Sequence, residues 1–267
     1  MIIDYHLHSK YSVDGRMSIE EACKNAIMEG IGEIAFTDHI DLDWPDPDLT
    51  FNISDIDQYI NEIDEMRRKY RGQLIIKTGI EVGMQPQVLD ETSDIVNNYP
   101  FDFVIASVHI VKGMDPYRRE YYKGKTKEES YRLYYEETLE LINEFSDFDV
   151  LGHLGYVRRY SPLPYEQGED LLCFDLIEEI LKTLIENGKG IEVNTSGYKH
   201  SSNCPMPSFK IIERYRELGG TIITIGSDAH SVEDIGFGFE AGLEIIKKSG
   251  FDSITSFNSR MQRSIPI

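Results

Sequence analysis

Positive charge is scarce in this chain of 267 residues, with 27 Lys and Arg against 47 Asp and Glu, and the formal charge of −20 leaves no domain-wide basic stripe. A nucleic-acid backbone laid along such a surface would be repelled, so a nucleic-acid partner is not expected. Cysteine is nearly absent. Cys23, Cys173 and Cys204 are odd in number, far apart and never in C-x-x-C spacing, which argues against both a disulfide framework and a thiolate zinc knuckle. They read as reduced thiols, Cys23 and Cys173 as small core residues within helical patterns. No apolar run approaches the ~20 residues of a membrane span. No repeat, low-complexity tract or Ser/Gly or Pro-rich linker divides the chain, and no charged-then-apolar secretion signal precedes the first strand. The expectation is one domain over residues 1–267, with no membrane partner, in the cytoplasm.

What the chain does have is a regular alternation. Seven strand-like runs cover Ile2 to His8, Ile34 to Asp38, Leu74 to Val82, Phe101 to His109, Phe148 to Leu154, Gly190 to Asn194 and Thr221 to Gly226. Amphipathic segments follow them: Ser18 to Glu29, Ser54 to Arg71, Pro86 to Asn97, Lys127 to Phe145, Glu169 to Asn187, Ser208 to Leu218 and Val232 to Lys248. Ser18 with Glu21 has capping-box spacing, Ser54 with Asp57 a weaker version, and Gly30, Gly72, Gly188 and Gly219 stand where helices should stop. Strand then helix, repeated, predicts an α/β fold with a parallel sheet.

The polar residues choose between an open sheet and a barrel. His6 and His8 are two apart, so in a strand both imidazoles face one way about 7 Å apart. Asp38-His39, Glu81, His109, His153, and Asp228 with His230 also fall at the carboxyl ends of apolar runs, and six of the seven histidines belong to this set. An open sheet gathers ligands at one switch point, whereas here every strand except the sixth offers one, as on a barrel rim. The chain therefore reads as a distorted (β/α)7, TIM-like barrel with a metal site at its carboxyl-terminal rim. The unpatterned tail, Phe251 to Ile267, leaves an eight-stranded version open. His200, in a loop, reads as a solvated histidine.

The ordered series D-Y-H-L-H-S-x-x-S-x-D-G, T-D-H, G-I-E-V-G, S-V-H, L-G-H and G-S-D-A-H resembles the polymerase and histidinol phosphatase (PHP) superfamily of metal-dependent phosphoesterases. The stretches Tyr122 to Tyr131 and Ile191 to Gly197 are similar to its histidinol-phosphatase branch. The resemblance implies three divalent ions: one held by His6, His8, Glu81 and Asp228, a second by Glu81, His109 and His153, and a third by Asp14, His39 and His230. Asp14 stands where many members have histidine, a harder donor that would favour manganese or iron, although imidazole and carboxylate donors also suit zinc. It further implies phosphate recognition at Arg159 and Tyr160, beside Arg158. Lys199 replaces a frequent arginine, and Gly155 a frequent aspartate.

Chemistry gives these roles independent sense. A bridging Glu81 would set two ions about 3.5 to 4 Å apart, the spacing that serves both attacking and leaving oxygens of phosphoryl transfer. Arginine's planar fork suits a phosphate dianion, while Asp228 and His230 are candidates for proton transfer to the leaving group. The expected activity is hydrolysis of the small phosphomonoester L-histidinol phosphate to L-histidinol and phosphate, a step of histidine biosynthesis. The alternatives are another phosphomonoester or a nucleotide as substrate, or a metal-dependent amidohydrolase.

Overall fold

Strands that are apolar on both faces must be covered on both, and amphipathic helices between them can do so. The computed structural model describes residues 1–164, 166 and 168–267, with the side chain of residue 170 left aside. Its strands are β1 (Ile2–Leu7), β2 (Ile31–Phe36), β3 (His39–Asp41), β4 (Phe51–Asn52), β5 (Ile75–Gly83), β6 (Phe103–Ser107), β7 (Val150–Leu151), β8 (Gly190–Asn194), β9 (Ile223–Gly226), β10 (Ser253–Asn258) and β11 (Met261–Pro266). Its α-helices are α1 (Ile19–Met28), α2 (Ile56–Lys69), α3 (Leu89–Asn98), α4 (Lys127–Glu144), α5 (Tyr156–Arg159), α6 (Phe174–Glu186), α7 (Phe209–Glu217) and α8 (Phe239–Lys248).

The parallel ladder runs β1-β2-β5-β6-β7-β8-β9. Its ends meet where Leu7 bridges to Ala229 and the His8 N–H donates to the Ala229 carbonyl at 2.9 Å, so seven strands make a nearly closed barrel. The second strand is broken. After Phe36 the chain leaves β2 and resumes as β3, which pairs with β5 through His39 and Glu81 and with β4 in antiparallel fashion. Among the described residues no helix is long and apolar enough to cross a membrane.

Local expectations hold in part. Ser18 and Glu21 form the capping box of α1, and the four helix-stopping glycines all take positive φ. At α2 the cap is instead Asp55, whose carboxylate accepts the Gln58 N–H at 2.8 Å and sits at the positive end of the helix dipole, displacing Ser54 from that role. The expected helix from Glu169 splits into a 3₁₀ turn and α6, with Cys173 at φ 64° between them; Cys173 is buried, but it caps the helix from outside. The one from Val232 is likewise interrupted, by positive-φ Gly236 and Gly238, before α8 begins.

The unassigned tail is the β10–β11 hairpin, and it excludes an eighth parallel strand. Its inner residues meet the barrel at the end away from the strands' carboxyl termini. The Tyr5 hydroxyl accepts the Phe257 N–H at 2.8 Å, Ser256 donates to Glu33 at 2.9 Å, and the Arg260 Nε bonds Asp149 at 2.6 Å. Tyr5, Phe103 and Phe257 pack ring against ring there. Arg260→Ala leaves the nearly buried Asp149 carboxylate without its cation, so the unfolding free energy is expected to fall by about 1.5 to 3 kcal/mol. Urea unfolding reads this as a lower midpoint at unchanged slope; an unmoved midpoint would show that the hairpin is not clamped through this pair.

Candidate metal centre

Each strand end carries its polar side chains to the same rim, and they converge on Glu81. Its Oε2 lies 3.2 Å from His6 Nε2, 3.4 Å from His8 Nε2 and 3.2 Å from His39 Nδ1. Its Oε1 lies 2.8 Å from His153 Nε2 and 3.3 Å from His109 Nε2. Five imidazoles thus share one carboxylate, each oxygen serving one half of the cluster. Asp228, held at φ 55° just beyond β9, brings Oδ1 to 3.5 Å from His8 Nε2 and 3.8 Å from His6 Nε2. On the outer side, exposed Asp14 lies 3.2 Å from His230 Nε2 and 3.9 Å from His39 Nε2, and the His8 ring stacks on both His39 and His230.

These donors fit divalent cations. His6 and His8 point Nε2 at Nε2 across 3.0 Å, and His109 and His153 do the same across 3.3 Å. One proton can serve only one lone pair of such a pair, whereas a cation takes both. Glu81 Oε2 is buried and accepts no hydrogen bond, the kind of orphaned oxygen that a cation satisfies. His8, His39 and His230; His6, His8 and Glu81; His39, Asp41 and His109; and Glu81, His109 and His153 each place three donor atoms within 4.8 Å of one another. Burial, with His230 and His39 adding to it, pushes His8 down to about 3 and so keeps its ring in the neutral, ligating form. Burial would raise Glu81 and Asp228. The protonated rings of His6, His109 and His39, themselves raised by the neighbouring carboxylates, overcome it for Glu81, as Arg159 and His6 do for Asp228; both carboxyls sit well below the usual range, and a bound cation would take over the positive charge of the rings.

Above the cluster opens a cavity of about 340 Å³, whose lining includes Asp14, His39, Glu81, His109, His153, Asp228 and His230 together with Arg159 and Tyr160. Arg159 places Nη1 2.8 Å from Asp228 Oδ2. Its neighbour does not follow. In the short helix α5 successive side chains diverge by about 100°, and Arg158 turns away to donate Nη2 to the Pro205 carbonyl at 3.0 Å. Lys199 is also outside the cavity lining, its ammonium held 2.6 Å from Asp234 and over the Phe237 ring. Of the four residues expected at the substrate, the structure therefore brings Arg159 and Tyr160 to the cavity and leaves out Arg158 and Lys199. Gly155 stands at φ 106°, a backbone that an aspartate there would strain.

A family model described as PHP domain matches residues 4–196. The chain is 33% identical to the probable histidinol-phosphatase of Clostridium acetobutylicum over 98% of its own length and 99% of that protein. It is 32% identical to the histidinol-phosphatase of Lactococcus lactis over 96% and 94%. The chain belongs to the PHP domain family, in its histidinol-phosphatase branch. A crystal structure of the Lactococcus lactis histidinol phosphate phosphatase, complexed with zinc, L-histidinol and phosphate, superposes with a TM-score of 0.90 at 30% identity, covering 98% of each chain.

Within this PHP site several residues escaped the sequence reading. Asp41 Oδ1 bonds His109 Nδ1 at 2.7 Å while its Oδ2 lies 3.0 Å from His39 Nδ1. A Cβ on Gly83 would fall 1.8 Å from that carboxylate, so the glycine makes its room. The signal was present, since His39 and Asp41 are two apart in a strand as His6 and His8 are. Asp38, grouped with His39 in the sequence, faces elsewhere and accepts both N–H and hydroxyl bonds from Ser9 and Ser12, which shapes the loop after β1. The sixth strand does contribute. Glu192 in β8 meets His6 Nδ1 at 2.5 Å and accepts the His153 backbone N–H at 2.8 Å, orienting the His6 ring from behind and tying down the backbone that carries His153. His200 is no solvated bystander either, because its Nε2 accepts the Arg159 Nε–H at 3.1 Å and burial, with Arg159 beside it, pushes the ring down to about 4, keeping it an acceptor at neutral pH.

If these donors bind cations, metal-free protein should melt higher when zinc or manganese is restored, by about 2.7 kcal/mol of added stability at a hundredfold excess over the dissociation constant. Glu81→Gln is expected to lose most of that rise. A Gln variant with the full rise in calorimetry would remove Glu81 from the centre.

Proposed function

We propose that this chain hydrolyses L-histidinol phosphate to L-histidinol and phosphate, a step of histidine biosynthesis, at a centre of three divalent ions. The observation that carries the reading is the single carboxylate of Glu81 facing five imidazoles on the floor of a cavity that Arg159 overlooks. The identity of its relatives, one crystallised with zinc, L-histidinol and phosphate, supports the choice of substrate. In this proposal His6, His8, Glu81 and Asp228 hold one ion, Glu81, His109 and His153 a second, and Asp14, His39 and His230 a third. Zinc, manganese and ferrous iron all match the donor set. Such ions, when bound, supply positive charge to the phosphoryl oxygens and activate the attacking water.

The chain's own residues do the rest. Arg159 clamps the phosphate dianion through its guanidinium, with Tyr160 beside it. As the bond from phosphorus to the histidinol oxygen breaks, His230 is the candidate to hand that alkoxide a proton, whereas Asp228, held ionised well below the usual carboxylate range, serves as a ligand. Asp41 fixes the ring of His109 and Glu192 that of His6 against rotation.

Phosphate release from a panel of phosphomonoesters by metal-reconstituted protein tests the substrate; histidinol phosphate is expected to give the highest kcat/KM. Arg159→Ala removes charge-assisted hydrogen bonds of about 1.5 to 3 kcal/mol, hence lowers kcat/KM by roughly tenfold to more than a hundredfold at unchanged metal content. Arg159→Lys should recover only part, because a point charge lacks the fork. Unaltered kinetics in the Ala variant would sink the clamp, and no turnover of histidinol phosphate by the wild type would sink the function.

A further inference from the structure

The cavity wall outside the imidazole cluster is mostly aromatic, with Trp44, Phe51, Tyr117, Tyr156 and Tyr160. Trp44 lies on Phe51 at 4.2 Å between ring centroids, and Tyr160 packs edge-on against both Tyr117 and Tyr156 at 5.0 and 5.1 Å. One carboxylate in this wall has no place in the cluster around Glu81: Asp115, only 9% exposed. Its Oδ1 accepts the Tyr117 N–H at 2.7 Å. Among the described residues no Lys, Arg or His side chain pairs with its carboxylate; the Arg118 guanidinium, also in the wall, is committed to Asp46 at 2.5 Å. His109 and Arg118 act on Asp115 only at longer range.

A buried carboxylate without a cation is costly unless something arrives to pair with it. Here what arrives comes through the cavity, and aromatic faces flanking a carboxylate suit an organic cation, which gains a charge-assisted hydrogen bond and cation–π attraction together. Arg159 in the same cavity suits an anion. The occupant that satisfies both carries a phosphate at one end and an ammonium group at the other.

Resting on the function proposed above, we propose that Asp115 selects the substrate by pairing with the α-ammonium group of an amino-alcohol phosphate, whose ring the aromatic wall covers. Asp115 touches substrate but not the reacting atoms, so it governs binding more than turnover.

The test compares three substrates on the metal-loaded enzyme: L-histidinol phosphate, its desamino analogue 3-(imidazol-4-yl)propyl phosphate, and p-nitrophenyl phosphate. Wild type is expected to prefer the first over the second by about tenfold or more in kcat/KM, the scale of one charged hydrogen bond. In Asp115→Asn, which keeps the acceptor for the Tyr117 N–H, the preference should fall to about threefold or less, chiefly through a raised KM for histidinol phosphate, as expected when uniform binding is lost. The analogue and p-nitrophenyl phosphate should be turned over as before. A preference that survives in the Asn variant overturns the assignment, and so does an equal loss on all three substrates, the mark of a structural role. A wild type that cleaves p-nitrophenyl phosphate but not histidinol phosphate overturns the function proposed above and the Asp115 assignment with it. A wild type that cleaves histidinol phosphate and its analogue equally overturns Asp115 alone.

Discussion

One buried carboxylate sets the terms for the rest of this structure. Glu81 lies almost fully out of solvent with imidazoles closing on both of its oxygens, and neither the acid nor the rings can be so placed without compensating charge. The barrel supplies the geometry: β5 is central, paired with β2 below, with β3 at the level of Glu81 itself, and with β6 on the other side. The register survives the break between β2 and β3: Phe36 pairs with Thr78 and His39 with Glu81 at the same offset, so the interruption at Thr37 and Asp38 leaves His39 level with Glu81.

Behind the rings stands a second set of buried acids, each spanning parts of the chain far apart in sequence. Asp41 faces His39 and His109, and Glu192 joins His6 to the His153 backbone. Asp4 accepts from the Ser227 N–H at 2.9 Å and the Gly236 N–H at 3.1 Å, tying β1 to the segment that carries Asp228 and His230. Burial raises Asp4 to about 6 in spite of these bonds. The link between the first and last strands of the barrel therefore runs through an acid whose ionised form burial disfavours and these bonds support.

How much of this was legible follows from range. Periodicity gave the seven parallel strands and most helices, because burial on two faces and helical amphipathicity leave a local trace in composition. The His-Leu-His pair and the repeated histidines at strand ends marked the rim for the same reason. What stayed hidden depends on contacts across the barrel. The tail's alternation is weak because its hairpin packs Ile254, Phe257 and Ile265 inward among polar residues, and its partners Tyr5, Glu33 and Asp149 lie more than a hundred residues away. Glu192 sat in plain view within an apolar run, yet only the fold shows that it reaches His6. Arg158 and Arg159 are indistinguishable in sequence, and the turn of about 100° between successive residues of α5 separates them.

The same turn explains why the neighbouring basic residues cannot stand in for Arg159. Its guanidinium spends Nε on His200 and one Nη1 hydrogen on Asp228, and the two fixed acceptors lock the plane of the group. Three N–H donors remain for an oxyanion entering the cavity. A lysine at the same position has a single nitrogen with three tetrahedral hydrogens, so holding Asp228 and His200 would leave one for the ligand and no plane to match two oxygens. Lys199, drawn off to Asp234, and Arg158, bound to the Pro205 carbonyl, are each satisfied elsewhere. In an acidic chain whose rim is crowded with carboxylates, the proposed recognition of an anion thus falls to Arg159, held in place by its two acceptors, because Arg118 in the same cavity wall is drawn off to Asp46.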